Sequence, residues 1–225
     1  MSDSGAASRW RDVSAEIAEV ARSAGRDPAE ITTIVVTKFH PASLVRELAA
    51  AGVSDIGESR HQEAQAKHGE LEDVDVTWHF VGQLQSNKAR AVADYCQVIH
   101  SIDRGSVVSK LAGIDHVIDG FIEVNLTGDP GRGGVEPDHL AALVDQVLDT
   151  PTIRLRGLMA VAPQDEEPAR AFERVRQLQA IVLERAPEAT DLSLGMSGDY
   201  VEAIHAGATH LRIGTAITGK RPAAP

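Results

Sequence analysis

Residues 31–38 read Ile-Thr-Thr-Ile-Val-Val-Thr-Lys and form the most apolar short run in the chain. The shortness of the run and its β-branched residues favour a strand over a helix. Side chains alternate along a strand, so we expect Lys38 on the same face as Ile34 and Val36. A lysine on an apolar face is desolvated, which favours the neutral, nucleophilic amine. The run therefore makes Lys38 a candidate Schiff-base lysine, with a side chain that reaches into solvent as the alternative.

Short apolar runs and amphipathic segments alternate along the rest of the chain, after a first helix that carries Trp10, Val13 and Ile17 at helical spacing. The predicted strands cover residues 31–38, 53–57, 76–82, 97–102, 121–126, 154–161, 191–196 and 210–213. The predicted connecting helices cover residues 43–51, 60–71, 86–93, 106–111, 137–148, 168–185 and 200–206. Strand–helix alternation of this kind implies an α/β fold, and eight units predict a single (β/α)8 TIM-like barrel with an extra N-terminal helix.

A doubly wound open sheet is the alternative fold. Its glycine-rich phosphate loop would follow the first strand, where this chain instead has Lys38-Phe-His-Pro41. The 225 residues, 43% of them hydrophobic, suffice for one sizeable core, and no Pro/Ser-rich linker divides them. We therefore predict one domain over residues 1–225, with flexible ends at residues 1–8 and 220–225.

Charge and cysteine content narrow the functional classes. A net charge of -11 and a pI of about 5.2 argue against binding to nucleic acids or to anionic membranes. The single cysteine, Cys96, cannot form an internal disulfide, which fits a cytoplasmic location. The chain shows no apolar signal core and no run of the roughly 20 apolar residues that a membrane span needs. His79 and His100 lack metal-binding spacing, so we predict no metal site.

Functional groups of a barrel gather at the carboxyl ends of its strands. Ser197 and Gly198 follow the seventh predicted strand, and Gly214 and Thr215 follow the eighth. Barrels commonly hold a phosphate at this place, because hydroxyl groups and glycine N–H groups approach the anion closely. Arg212 shares a strand face with Gly214 and is a candidate donor to a ligand nitrogen or phosphate. Helix capping by Ser197 and a salt bridge of Arg212 are the structural alternatives.

A series of motifs over nearly the full chain resembles the pyridoxal-phosphate homeostasis protein family. The motifs are Val-Val-Thr-Lys38, Ile56-Gly-Glu58, Trp78-His-Phe-Val-Gly82, Leu84-Gln-Ser-Asn-Lys88, His100-Ser-Ile-Asp103, Glu123-Val-Asn125, Arg156-Gly-Leu-Met159, Leu192-Ser-Leu-Gly-Met-Ser197 and Arg212-Ile-Gly-Thr215. The resemblance implies a fold-type III barrel like the N-terminal domain of alanine racemase. It also implies that the protein binds pyridoxal 5'-phosphate (PLP) and serves intracellular vitamin B6 homeostasis without turnover.

The resemblance assigns roles around PLP to eight residues. Lys38 would form the internal aldimine, and Arg212 would face the pyridine nitrogen. The other contacts implied are the phosphate ligands Ser197, Gly198, Gly214 and Thr215 and the ring-lining residues Asn125 and Met159. PLP-dependent apoenzymes would be the partners that receive the cofactor. Because no long exposed apolar stripe demands a dimer, we expect a monomer.

The chain departs from the family pattern at four positions. Ser59 and Arg60 stand where the family usually has Asn-Tyr, and Arg132 stands where it has the lysine of Lys-x-Gly. Thr218 replaces the customary phenylalanine. None of these changes removes the aldimine lysine or the phosphate ligands.

A PLP-dependent amino-acid racemase is the alternative function. Racemisation needs an acid and a base on opposite faces of the substrate carbon. In racemases of this fold type the second base is a tyrosine from an extra domain of a partner subunit, whereas this chain ends after the barrel and contains only Tyr95 and Tyr200. A barrel isomerase for a phosphorylated sugar would leave Lys38 without a role.

Overall fold

Eight parallel strands close into a barrel in the computed structural model, which describes residues 5–129 and 131–220. Each strand pairs with the next in sequence, and β1 closes the barrel against β8. The strands are β1 (Thr32–Val36), β2 (Asp55–Glu58), β3 (Thr77–Phe80), β4 (Val98–Ile102), β5 (Ile118–Glu123), β6 (Ile153–Met159), β7 (Asp191–Ser193) and β8 (His210–Ile213). The predicted (β/α)8 barrel is confirmed.

Helices surround the barrel between successive strands. In the described residues they are α1 (Ala6–Ser23), α2 (Ala42–Ala50), α3 (His61–Glu70), α4 (Ala89–Ala93), α5 (Gly105–Leu111), α6 (Leu140–Leu148), α7 (Pro168–Leu183), α8 (Tyr200–His205) and α9 (Thr215–Thr218). Short 3-10 turns occur at Pro28–Glu30, Ser86–Lys88 and Pro137–His139. Among these described helices, none is both long and apolar enough to cross a membrane.

Helix α1 packs on the outside of the barrel against α2, α8 and α9. Its N-terminal residue Ala6 is buried, and the Arg9 Nε donates a hydrogen bond of 2.7 Å to the carbonyl oxygen of Ile217. Residues 6–8, which we expected to be flexible, are therefore part of a packed helix. Gly5 is the N-cap residue of this helix, and Lys220 is the last described residue of the chain. The expectation for residues 1–4 and 221–225 lies outside the described residues.

Two apolar regions are separated by the barrel wall. The larger one fills the space between the helices and the outer face of the strands. The smaller one consists of Val98, Phe121 and Met159, with Val161 packed against it. Barrel interiors are usually filled by branched aliphatic residues, but here buried polar side chains share the interior with this small cluster. A polar interior is costly unless every group is paired, which points to a functional reason for keeping it.

The strand boundaries differ most from expectation at β5. We predicted residues 121–126, whereas the strand spans Ile118–Glu123. Val124 follows the end of β5 and forms an isolated bridge with Val135. The loop after β5 therefore folds back onto the barrel, and the apolar residues continue beyond the strand itself. Helix α9 was not predicted, since four residues are too few to show helical periodicity.

Candidate functional site

Barrel closure brings the candidate residues of the first and last strands together. Strands β1 and β8 pair directly, with Val35 opposite Ile213. A Cβ atom on Gly214 would lie 3.8 Å from the carbonyl oxygen of Val36, two residues before Lys38. Strand β7 pairs with β8, and the Ser197 Oγ lies 3.5 Å from the backbone nitrogen of Ala216. Lys38 and the predicted phosphate ligands therefore share one end of the barrel.

Lys38 itself is exposed, so the expected burial on an apolar face is wrong. The physical reason is that β1 ends at Val36 and the chain turns before the lysine can be covered. Phe39 adopts a left-handed conformation with φ 69°, which is unusual for a residue other than glycine. The Lys38 amine is thus on an accessible turn at the end of the strand.

A buried ionic cluster anchors both neighbours of Lys38. The Lys67 Nζ lies 2.6 Å from Glu58 Oε1 and 2.9 Å from Glu63 Oε1, and it donates a hydrogen bond of 2.8 Å to the carbonyl oxygen of Thr37. The Thr37 hydroxyl donates to Glu58 Oε1 at 2.7 Å, and the Phe39 N–H donates to Glu63. Burial raises the pKa of Glu58, and Lys67 opposes that rise. We conclude that this cluster holds the turn that carries Lys38.

The region after β7 and β8 carries hydroxyl and backbone N–H groups that can donate hydrogen bonds. Ser197 is partly buried and Gly198 is exposed, while the Asp199 carboxylate is occupied by the Met196 N–H at 2.6 Å. Gly214 precedes α9, and Thr215 is its exposed first residue. The first N–H groups of any helix have no intrahelical partner, so they add to the donors that two hydroxyl groups provide. We call Ser197, Gly198, Gly214 and Thr215 the anion cup.

Arg212 lies on the interior face of β8 and is only 5% exposed. Its Nη1 donates to the carbonyl oxygen of Ser193 at 2.6 Å and to the Ser193 Oγ at 2.7 Å, and its Nη2 donates to the carbonyl oxygen of Ala160 at 2.9 Å. Burial lowers the pKa of Arg212 to about 10, so the guanidinium stays charged at neutral pH. All three of these hydrogen bonds go to uncharged oxygens, while the nearby carboxylates of Glu123 and Asp199 act on the guanidinium charge and favour the protonated form.

Asn125 and Met159 occupy different surroundings. The Asn125 Nδ2 donates to the carbonyl oxygen of Asp129 at 2.9 Å and to Glu136 Oε1 at 3.0 Å, while its Oδ1 accepts from the N–H and hydroxyl of Thr127. A Cβ on Gly134 would lie 2.4 Å from the Asn125 nitrogen, so only glycine fits there. Asn125 thus holds the loop after β5, whereas Met159 is buried in the small cluster inside the barrel.

Glu123, at the end of β5, was not among the predicted site residues. Burial, followed by the nearby Asp103 carboxylate, raises the pKa of Glu123 from its ordinary 4.5 to about 7. Its Oε2 atom is buried and has no hydrogen-bond partner within the described part of the chain. The charged form of this carboxyl is therefore unfavourable in the folded protein.

Replacing Glu123 with glutamine should make folding less sensitive to pH. The folded state holds the proton more tightly than the unfolded state, so the wild-type protein loses stability as pH rises from about 4.5 to 7. The variant should be more stable than the wild type above that window, by up to about 3 kcal/mol, and similar below it. Urea unfolding at several pH values measures this. The exposed Glu72→Gln is the control, and parallel pH profiles for wild type and Glu123→Gln would contradict the expectation.

His79 and His100 lie close together inside the barrel. Among the described residues there is no group of three His, Cys, Asp or Glu side chains that could hold a metal ion. Both histidines instead lie inside the barrel, where their rings are hydrogen-bonded to each other at 2.9 Å. The sequence predicted that each histidine lies in a strand. The residues that each histidine contacts are set by closure of the barrel.

Comparison with known proteins agrees with this geometry. The family model described as alanine racemase, N-terminal domain, matches residues 13–222. A pyridoxal phosphate homeostasis protein of Pseudomonas aeruginosa is 41% identical over 214 residues, which cover 93% of each chain. This chain belongs to the pyridoxal phosphate homeostasis protein family. A member from Escherichia coli is 38% identical and covers 92% of each chain.

Solved structures show the same fold. PipY of Synechococcus elongatus, solved with PLP bound, is 36% identical and superposes with a TM-score of 0.78 over 90% of this chain and all of PipY. Alanine racemase of Corynebacterium glutamicum is 16% identical, with a TM-score of 0.67 over 92% of this chain and 60% of the racemase. The racemase likeness establishes the barrel fold alone.

The departures from the family pattern lie around the barrel mouth. Ser59 and Arg60 line a cavity of about 480 Å³, and the Arg60 guanidinium lies 5.2 Å from the centre of the Phe39 ring. Arg132 is exposed on the loop after β5. Thr218 is buried, and its hydroxyl donates to the carbonyl oxygen of Gly214 at 3.2 Å. Thr218 is therefore hydrogen-bonded to Gly214 of the anion cup, and Arg60 lies against Phe39, the residue after Lys38.

Both tyrosines of the chain lie in the helical layer. The Tyr200 hydroxyl is hydrogen-bonded to Glu16 on α1, and burial raises its pKa. Burial also raises the pKa of Tyr95, whose hydroxyl lies 3.3 Å from His61 Nδ1. Neither hydroxyl is in a form that accepts a proton readily at neutral pH.

Proposed function

We propose that this protein binds PLP at the carboxyl end of the barrel, holds it covalently through Lys38, and thereby serves intracellular PLP homeostasis. The observation that carries the proposal is that an accessible lysine after β1 lies at the same end of the barrel as the anion cup, which follows the neighbouring strands β7 and β8. The relative PipY, whose structure contains PLP, supports it.

The donor set matches the three functional parts of PLP. The anion cup offers hydroxyl and backbone N–H donors for a phosphate, and the Lys38 amine is available for an aldehyde. Arg212 is a fixed donor for a ring nitrogen, and Met159 belongs to the apolar cluster beside it inside the barrel. When bound, PLP supplies a reversible covalent link to amines and an electron-withdrawing ring.

Arg212 sets the electronic character of the site. A cation beside the ring nitrogen disfavours protonation of that nitrogen, so less electron density is drawn into the ring. Burial lowers the pKa of Arg212 only to about 10, and the residue remains a cation throughout the physiological range. The protein is thus better suited to hold the cofactor than to stabilise a carbanion.

We also propose that the protein does not turn over amino acids. Racemisation would need a second base across the substrate from Lys38. Tyr200 is bound to Glu16 on α1 and Tyr95 is packed beside His61, so neither is placed to serve that role. The alternative, an amino-acid racemase, is distinguished by whether alanine incubated in deuterated water takes up deuterium at its α-carbon in a way that depends on Lys38.

The proposal also covers the partners, the oligomeric state and the location of the protein. PLP-dependent apoenzymes would receive the cofactor from the exposed turn at Lys38, and the protein would act as a monomer in the cytoplasm. The buried thiol of Cys96 is consistent with a reducing compartment. A dimer mass in light scattering, or failure to activate any apoenzyme, would contradict these assignments.

Removing the two hydroxyl groups of the anion cup should weaken PLP binding. In a Ser197→Ala, Thr215→Val variant we expect the dissociation constant to rise about tenfold or more for each hydroxyl, because hydrogen bonds to a charged group are worth about 1.5–3 kcal/mol. Titration of the PLP-free protein, followed by absorbance, measures this. Ser109→Ala, on the exposed face of α5, is the control. A wild-type protein that takes up no PLP would refute the whole proposal.

A further inference from the structure

A continuous chain of hydrogen bonds crosses the interior of the barrel and ends at Arg212. The Asp55 Oδ1 lies 2.9 Å from His79 Nε2, and His79 Nδ1 lies 2.9 Å from His100 Nε2. The His100 Nδ1 lies 2.8 Å from the Ser193 Oγ, which accepts the hydrogen bond from Arg212 Nη1. Four links therefore join strands β2, β3, β4, β7 and β8. We call these residues the interior relay.

The interior relay is almost completely shielded from water. His100 and Ser193 are 0% exposed, His79 is 2% exposed and Arg212 is 5% exposed. Only Asp55, at the first residue of β2, has an appreciable side-chain exposure, 19%. Buried polar groups destabilise a protein unless each is hydrogen-bonded, so every link of the relay has to be matched as a donor with an acceptor.

The two ends of the relay have fixed roles. Burial alone would raise the pKa of Asp55, but hydrogen bonds from His79 and Ser54 bring it below its usual value, so Asp55 is a carboxylate that only accepts. Arg212 only donates. Burial, followed by the charges of its neighbours, lowers the pKa of His100 well below its usual value, so this ring is neutral and has one donor and one acceptor.

With one proton on each imidazole ring, a single arrangement satisfies all the links. The His79 Nε2–H donates to Asp55, His100 Nε2–H donates to His79 Nδ1, and the Ser193 hydroxyl donates to His100 Nδ1. The lone pairs of the Ser193 oxygen are then directed to Arg212. An extra proton on His79 would reverse the two inner links and leave the Ser193 hydroxyl proton without that acceptor.

The ring of His100 is also held mechanically. Phe121 is stacked on it with ring centres 4.5 Å apart and an angle of 8° between the planes, and the His210 ring forms a T-shaped pair with it at 6.1 Å between ring centres. Rotation of the imidazole would displace Phe121 from the small cluster. Its orientation is therefore imposed by packing, and its tautomer is imposed by Asp55 through His79.

We propose that Asp55, His79, His100 and Ser193 are positioning residues that fix the guanidinium of Arg212 through an oriented chain of hydrogen bonds. That Arg212 faces the ring nitrogen of PLP rests on the proposed function. The orientation of the relay does not, because it depends only on residues of this chain. Asp55 thus influences the site from the opposite, amino end of the barrel.

The test uses the full-length protein without PLP, labelled with ¹⁵N in histidine and arginine. Long-range proton–nitrogen correlation spectra distinguish the two tautomers of a neutral imidazole. At neutral pH we expect His79 and His100 to carry their proton on Nε2, and we expect slowly exchanging Nη–H signals from Arg212. A proton on Nδ1 of His100 would overturn the proposal, whether or not the protein binds PLP.

Asp55→Asn removes the end that only accepts, because an amide both donates and accepts. We expect both tautomers at His79 and His100, and solvent exchange of the Arg212 Nη–H groups faster by about tenfold. Asp119→Asn is the matched control, because Asp119 pairs with the surface residue Arg154 and lies outside the relay. Unchanged histidine and Arg212 signals in a folded Asp55→Asn protein would refute the positioning role.

A second pair of variants changes Ser193, the relay residue that is hydrogen-bonded to Arg212. Ser193→Ala should speed the exchange of the Arg212 Nη–H groups in the same way, and Ser193→Thr should restore slow exchange because it keeps the hydroxyl. If Asp55→Asn does not fold, this pair decides the question. Equal exchange rates in the alanine and threonine variants would contradict the proposal.

Discussion

Replacing Lys38 with alanine is expected to abolish covalent capture of PLP and to leave weaker, reversible binding. In the proposed function the Lys38 amine forms the covalent link, whereas the anion cup and Arg212 remain in the variant. Borohydride reduction followed by mass spectrometry should find one PLP adduct per wild-type chain, on the peptide that contains Lys38. The variant should show no adduct, and its absorbance should be that of the free aldehyde.

Lys88→Ala is the matched control for this experiment. Lys88 lines the cavity beside the barrel mouth and is a second lysine near the site. This variant should keep the full adduct. Adduct formation on another lysine in the Lys38→Ala protein would disprove the assignment. The same proteins, incubated with alanine in deuterated water, report on turnover: Lys38-dependent deuterium incorporation at the α-carbon would establish a racemase-like activity and contradict the non-catalytic proposal.

Replacing Lys67 with methionine should destabilise the protein by about 3–5 kcal/mol, because it leaves a buried carboxylate without its partner. Glu58 is 0% exposed, and its Oε2 has no hydrogen-bond partner among the described residues even in the wild type. Lys67 also supplies the hydrogen bond to the Thr37 carbonyl oxygen beside Lys38. Urea unfolding monitored by circular dichroism gives the change in unfolding free energy.

Two further variants show whether the lower stability of Lys67→Met comes from the unpaired Glu58 carboxylate. Lys110→Met removes an exposed lysine from α5 and should change stability little. The double variant Glu58→Leu, Lys67→Met should recover much of the loss, since replacing a whole buried pair by apolar residues is often nearly neutral. A Lys67→Met protein as stable as the wild type would show that the cluster does not hold the Lys38 turn.

Much of the fold could be predicted from the order of apolar runs. Strand β8 was predicted at its observed bounds, His210–Ile213, because a polar or glycine residue marks each end. Strand β5 was displaced by three residues, since the apolar sequence runs on through Val124 into the loop. Period and composition reveal that a strand exists, but hydrogen bonding to neighbouring strands decides where it ends.

The candidate site was predictable to the extent that it depends on strand ends. Ser197, Arg212 and Thr215 were found because the carboxyl ends of parallel strands meet at one edge. The roles of these residues toward PLP remain predictions. Glu58 and Lys67 were missed as a pair, because their contact crosses from the outer face of a strand to a helix and carries no periodic signal.

The amino-acid sequence was enough to establish that strands and helices alternate, that the barrel has eight strands, and that Lys38 follows the first of them. These features depend on local composition and period, which are properties of contiguous residues. The exposure of Lys38, and the connection of Asp55 to Arg212 through His79, His100 and Ser193, became visible only in the folded barrel. Such contacts join residues from different strands, and their distances exist only once the barrel has closed.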